Sequence, residues 1–146
     1  MQVQKPIFIC AQPDDYYFVW QLEAFIEHNL KLGIENETHI LLFKHNKKRD
    51  WNEDMIALEN KYKDVPHVKF FYYADEHHIT QAFERIAYIP LLRPYILARL
   101  FEEHPDLSDK WILYHDCDIL LVRDIDWNSL EDDGKTCYLS FTGQRF

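Results

Sequence analysis

Short apolar runs alternate with helix-period segments along this chain, and no other property of the sequence restricts its fold as tightly. Ile7-Phe-Ile-Cys-Ala11 has the make-up of a buried strand, and Gln12-Pro13-Asp14-Asp15 breaks it. From Tyr16 to Leu32, the residues Phe18, Leu22, Phe25, Ile26 and Leu30 recur at the spacing of one helix face, with Asp15 placed to cap the start and Gly33 the end. Thr38 to Phe43 predicts a second strand, Met55, Leu58 and Tyr62 a short amphipathic helix, and Val68 to Tyr73 a third strand. Lys44 to Asp50 reads as a solvated, largely basic connection. A helix over Ile79 to Ile89 stops near Pro90. Pro94 then suits the first turn of another, in which Leu97, Leu100 and Phe101 form an apolar stripe that His104-Pro105 terminates. Alternation of this kind predicts an α/β domain over residues 1–146, a mostly parallel or mixed central sheet with flanking helices.

A chain of 146 residues, 47% apolar and 16% aromatic with three Gly, can bury a real core and is not disordered. Its formal charge of −9 argues against a nucleic-acid binder, which needs a basic patch, and means that an anionic ligand would call for a bridging cation. The three cysteines, Cys10, Cys117 and Cys137, are an odd number in apolar surroundings and read as reduced thiols of a cytoplasmic protein. No Cys-x-x-Cys pair suggests zinc. The adjacent His77-His78 reads as a surface or loop feature, because neighbouring side chains rarely converge on one metal. No segment has the look of a secretory signal or a membrane span.

Chemistry concentrates at Trp111-Ile-Leu-Tyr-His-Asp-Cys-Asp118. Trp111 to His115 reads as a central strand covered on both faces, running into Asp116 and Asp118. Residues two apart in extended chain point the same way, so the two carboxylates can aim together while Cys117 points away. Such a pair is easiest to keep ionised around a divalent cation or another positive partner, and hard oxygen donors suit Mg²⁺ or Mn²⁺. Open α/β sheets bind ligands beyond the carboxyl ends of their strands. The plainer reading is that the pair caps a following turn. Asp124 and Asp126, in a punctuated context, read as solvated or capping and serve as an internal control. Ile125 to Leu130 follows as a turn or short helix, Glu131 to Lys135 as a polar loop and Thr136 to Phe141 as a final strand.

Three segments together resemble the nucleotide-sugar glycosyltransferases of the GT-A fold, including the glycogenin-like members. Ile7 to Leu32, with its Asp-bearing loop and Tyr16, resembles their first nucleotide-binding unit. Arg93-Pro-Tyr-Ile-Leu-Ala-Arg-Leu100 resembles the helix before the metal motif, and Tyr114 to Ile125 resembles the Asp-x-Asp strand end and the acidic turn after it. The resemblance implies a Rossmann-like nucleotide-binding half and transfer of a sugar from a nucleotide diphosphate donor, a UDP-sugar. In that picture Asp118 and Asp116 hold Mn²⁺ or Mg²⁺ against the diphosphate, and Asp116 also contacts the nucleotide. Ala11 and Gln12 line the nucleotide, Tyr16 stacks on the base, and Arg93 or Arg99 offsets phosphate charge. The plain alternatives are a packing role for Tyr16 and a solvated helix position for Arg99. The chain departs from the family in having no His after His115, and the similarity covers only the family's N-terminal half, without its acceptor-binding part. Two other readings stand beside it: a nucleotide-sugar-binding or partner-binding remnant without turnover, and a phosphatase resembling haloacid dehalogenases. The phosphatases usually carry Thr or Val where this chain has Leu120.

Overall fold

The computed structural model describes residues 5–44, 49–74 and 92–130. Within them, strands β1 (Ile7–Pro13), β2 (Thr38–Lys44), β3 (Val68–Ala74) and β4 (Ile112–Tyr114) form one all-parallel sheet in the order β3-β2-β1-β4. Helices α1 (Tyr16–Leu32), α2 (Glu53–Tyr62) and α3 (Leu92–Glu103) flank it, and two 3₁₀ turns, Pro105–Asp109 and Trp127–Ser129, bracket the segment that carries β4. The domain is Rossmann-like. Among the described residues, no helix is long and apolar enough to cross a membrane.

Side-chain alternation along the inner strands builds two cores. Phe8, Cys10, Ile40 and Leu42 pack on one face against Leu22, Phe25 and Ile26 of α1 and Met55, Leu58 and Tyr62 of α2. Ile7, Ile9, Ala11, Leu41 and Phe43 point the other way, onto Leu92, Ile96 and Leu100 of α3. Covering both faces is what an all-parallel sheet requires, and it explains why β1 and β2 are buried at almost every position. Each large side chain so buried contributes about 1.5–3 kcal/mol.

The helix ends follow the expected chemistry. The Asp15 carboxylate accepts from Tyr17 N at 2.9 Å, and Gly33, at φ 69°, closes α1 by donating its N–H to the Asn29 and Leu30 carbonyls. Asn52 caps α2 by accepting from Asp54 N at 2.9 Å.

The path of the chain fixes where a ligand can sit. β1, β2 and β3 step outward in one direction with α1 and α2 on one face. α3 then crosses on the other face, and β4 pairs with the opposite edge of β1. The order therefore reverses between β1 and β4, and the loops after these two strands diverge to leave a crevice.

One expectation needs adjusting. Trp111 to His115 was expected as a central strand covered on both faces, but β4 is three residues long and, among the described residues, pairs with β1 alone. Tyr114 is exposed. Backbone pairing still reaches from the Trp111 carbonyl, which accepts from Ile7 N, to His115 N, which donates to the Ile9 carbonyl. Beyond that the chain turns. Residues 75–91 and 131–146, and with them the expected helix over 79–89, the His77-His78 pair, Cys137 and the final strand, lie outside the described residues, as do residues 45–48 of the basic loop.

Candidate functional site at the β1–β4 edge

The crevice between β1 and β4 holds a cleft of about 100 Å³ lined by Gln12, Tyr17, Phe18, Gln21, Arg93, Asp116, Cys117 and Asp118. Four elements contribute: the end of β1, the first two turns of α1, the start of α3 and the turn after β4.

The turn is held from below by its buried members. His115 packs its ring against Phe25, 4.6 Å between centroids, and edge-on to Phe8 at 5.9 Å. Its Nδ1 lies 2.8 Å from the Asp116 carbonyl oxygen, so the ring donates there in its neutral form. Burial depresses its pKa, only partly opposed by that hydrogen bond and the Asp116 charge. Cys117 is buried and donates to Gln21 Oε1 at 3.2 Å, which ties the turn to α1. Burial, with the Asp118 charge beside it, pushes the Cys117 thiol up to about 12, so it stays protonated and is no nucleophile at neutral pH. With positions 115 and 117 buried, the side chains at 116 and 118 both emerge toward solvent.

The two carboxylates behave unlike the chain's other acidic loop residues. Asp15, Asp124 and Asp126 each accept from a nearby backbone N–H. Neither Asp116 nor Asp118 does so among the described residues. Asp124 and Asp126, expected as solvated or capping, are both exposed and Asp126 caps the Trp127–Ser129 turn, whereas Asp116 and Asp118 cap nothing among the described residues. Their one cationic partner among the described residues is Arg93, whose Nη1 lies 3.0 Å from Asp116 Oδ1. Arg93 Nη2 donates to Gln12 Oε1 at 3.0 Å. Because a guanidinium can only donate, this contact fixes the Gln12 amide with its oxygen toward Arg93 and its Nε2 turned away. That Nε2 is buried and has no acceptor among the described residues. Among the described residues, two carboxylates against one guanidinium leave the cleft net negative.

The residues expected to bind cofactor or nucleotide divide accordingly. Gln12, Arg93, Asp116 and Asp118 come together at the cleft. Ala11 does not line it: its methyl group is fully buried on the α3 side of the sheet. Tyr16, 71% exposed at the first position of α1, does not line it either, and its neighbours Tyr17 and Phe18 do. Arg99 is held elsewhere, paired with Glu103 at 3.2 Å and stacked 5.0 Å over the Tyr73 ring. Six residues carry a helix about 9 Å along its axis and about 240° around it, so Arg93 and Arg99 cannot serve one site. Gln21 was missed, although its position three residues after Phe18 and four before Phe25 places an amide in the apolar stripe of α1.

The donor set available to a cation is small. Among the described residues no group of three or more His, Cys, Asp or Glu side chains converges. Two exposed carboxylates on one turn suit Mg²⁺ or Mn²⁺ in the manner of phosphate-bridging sites, where substrate oxygens and water complete the shell, and do not suit a cage made by protein alone. No protein-family model matches this chain, and neither does any curated protein.

Proposed function

We propose that the β1–β4 cleft binds the diphosphate of a nucleotide sugar, a UDP-sugar, through a divalent cation held by Asp116 and Asp118, and that the chain serves sugar transfer from that donor. The observation that carries the reading is the convergence of Gln12, Arg93, Asp116 and Asp118 where the strand order reverses, the place at which open parallel sheets take nucleotides. A GT-A-like nucleotide-binding half is the form of the Rossmann-like fold that best accounts for an acidic pair at that point. When bound, the cation supplies Lewis-acid stabilisation of charge growing on the leaving diphosphate. The chain's own residues do the rest. Asp118, free of ion pairs to the described residues, is the principal anchor and Asp116 the second. Arg93 offers N–H donors to phosphate oxygens, the unfilled Gln12 Nε2 offers one more, and Tyr17 and Phe18 present aromatic surface for a base or ribose. A net-negative cleft repels a bare diphosphate, which is why the cation is needed.

Among the described lining residues no further acid or base stands ready to act on an acceptor, and that observation favours a second reading, donor binding without turnover. Release of UDP from a UDP-sugar, with and without acceptor sugars, separates the two. The binding proposal itself is tested by calorimetry. UDP binding should require Mn²⁺ or Mg²⁺ and weaken at least about tenfold in Asp118→Ala, the loss of about 1.4 kcal/mol or more. Asp126→Ala should leave it unchanged. Equal affinity in the presence of a chelator would reject the cation-bridged site.

A further inference from the structure

We infer that Arg93 is a built-in stand-in for the cation, which it must yield Asp116 to admit; the inference rests on the cation-bridged diphosphate reading above. Arg93 Nη1 sits 3.0 Å from Asp116 Oδ1, on one of the two carboxylates that would share a cation. A guanidinium and a divalent cation on the same carboxylate repel each other, so the two compete for Asp116. Arg93 also has a second tether and spare capacity. Its Nη2 is anchored on Gln12 Oε1 at 3.0 Å, and its Nε is buried with no hydrogen-bond partner among the described residues. Leaving Asp116 therefore does not release Arg93 into solvent. It remains at the cleft wall on Gln12, beside the other unfilled donor, Gln12 Nε2, and both can turn to diphosphate oxygens.

Two consequences follow. The cation alone binds weakly, because it must displace Arg93 with nothing to receive the guanidinium. Cation and diphosphate together bind strongly, because the phosphate oxygens take Arg93 over while the cation takes Asp116. Arg93 is thus a positioning residue that couples the two ligands and makes their binding mutually dependent.

The test uses Mn²⁺ alone, followed by electron paramagnetic resonance, beside calorimetry of UDP with Mn²⁺. Arg93→Gln removes the charge and keeps a polar amide at this position. Mn²⁺ alone should bind at least about fivefold tighter to this variant than to the unaltered chain, while Mn²⁺-supported UDP binding weakens at least about fivefold. Opposite movement is the signature, since a merely structural lesion weakens both. Unchanged or weaker Mn²⁺ binding in Arg93→Gln overturns the inference. A measurement on the unaltered chain stands independently of whether the variant folds. Saturating Mg²⁺ without nucleotide must shift the Arg93 side-chain ¹⁵N–¹H resonances, and resonances that stay in place also overturn it. If UDP binds equally well with a chelator present, the cation-bridged reading falls first and the inference with it. If UDP binding needs the cation but Arg93→Gln leaves Mn²⁺ affinity unmoved, the inference alone falls.

Discussion

Asp14 links the ligand-facing end of β1 to the start of α2, and its removal should be among the more damaging changes outside the apolar core. Its side chain is fully buried. Oδ2 accepts from Asn52 N at 2.9 Å and from Arg49 Nη2 at 3.1 Å, and the Asp14 carbonyl oxygen takes a further bond from Arg49 Nη2. Asn52 is the N-cap of α2, so one carboxylate fastens the beginning of that helix to the β1–α1 loop. In Asp14→Ala the Asn52 N–H loses a charge-assisted partner, a loss of about 1.5–3 kcal/mol. Arg49 is 47% exposed and keeps its bond to the backbone carbonyl, so its share is discounted to about 0–1 kcal/mol. The sum is about 2–4 kcal/mol against a total stability of about 5–15 kcal/mol. With a urea dependence of about 2 kcal/mol per molar, the middle of the usual range, the unfolding midpoint should fall by about 1–2 M. Asp14→Asn keeps an oxygen for Asn52 N and loses only the charge, so it should lose about half as much. Equilibrium urea unfolding followed by tryptophan fluorescence, with Trp51 near the junction, measures both. A midpoint for Asp14→Ala close to that of the unaltered chain, or an Asn variant as damaged as the Ala variant, would refute the reasoning.

Phe25→Ala removes a ring packed between Phe8 and His115 and should destabilise by about 3–5 kcal/mol in the same assay. Stability should also fall as the pH drops from 7.5 toward 5. Burial depresses the pKa of His39 despite its bond to Glu37, so the unfolded chain binds the proton more readily; that contribution is present above the usual histidine pKa and is lost as the pH falls through the depressed folded value. His39→Gln should flatten this part of the profile. In a Cys137→Ser background, a thiol reagent at pH 8 should label Cys117, whose pKa lies near 12, and the still more deeply buried Cys10 only as fast as the protein opens. Prompt labelling of the native chain would show that the turn after β4 is not closed over Cys117.

The fold was largely legible in the sequence, because burial on two faces leaves an unmistakable mark. Parallel strands covered on both sides carry unbroken apolar runs, and Ile7 to Ala11 of β1 and Ile40 to Phe43 of β2 are such runs. Asp15 and Gly33 delimited α1 because a helix end has orphan N–H and carbonyl groups that few residues satisfy. The exposure of Tyr114 was not legible. A three-residue run reads the same wherever it sits in a sheet, and among the described residues β4 pairs with β1 alone.

The site was legible only where local chain geometry decides it. Asp116 and Asp118 both reach the cleft although the chain turns at 117 and 118, because His115 and Cys117 are buried and Cys117 is anchored by its bond to Gln21, 96 positions away. Choosing Arg93 over Arg99 needed the crossing of α3 over the sheet, which aims the start of that helix at Gln12 and leaves Arg99 over Tyr73. Placing Tyr17 and Phe18 at the cleft in place of Tyr16 depended on the rotation of α1 by a single residue, about 100°. Spacing along a chain fixes such rotations relative to the helix's own apolar stripe, but the stripe faces the core over a broad arc. A residue at its margin is assigned to cleft or solvent by the neighbouring turn. In this protein that turn is the one after β4, held beneath α1 by His115 and Cys117, so these two buried residues decide which part of α1 any ligand at Asp116 and Asp118 will meet.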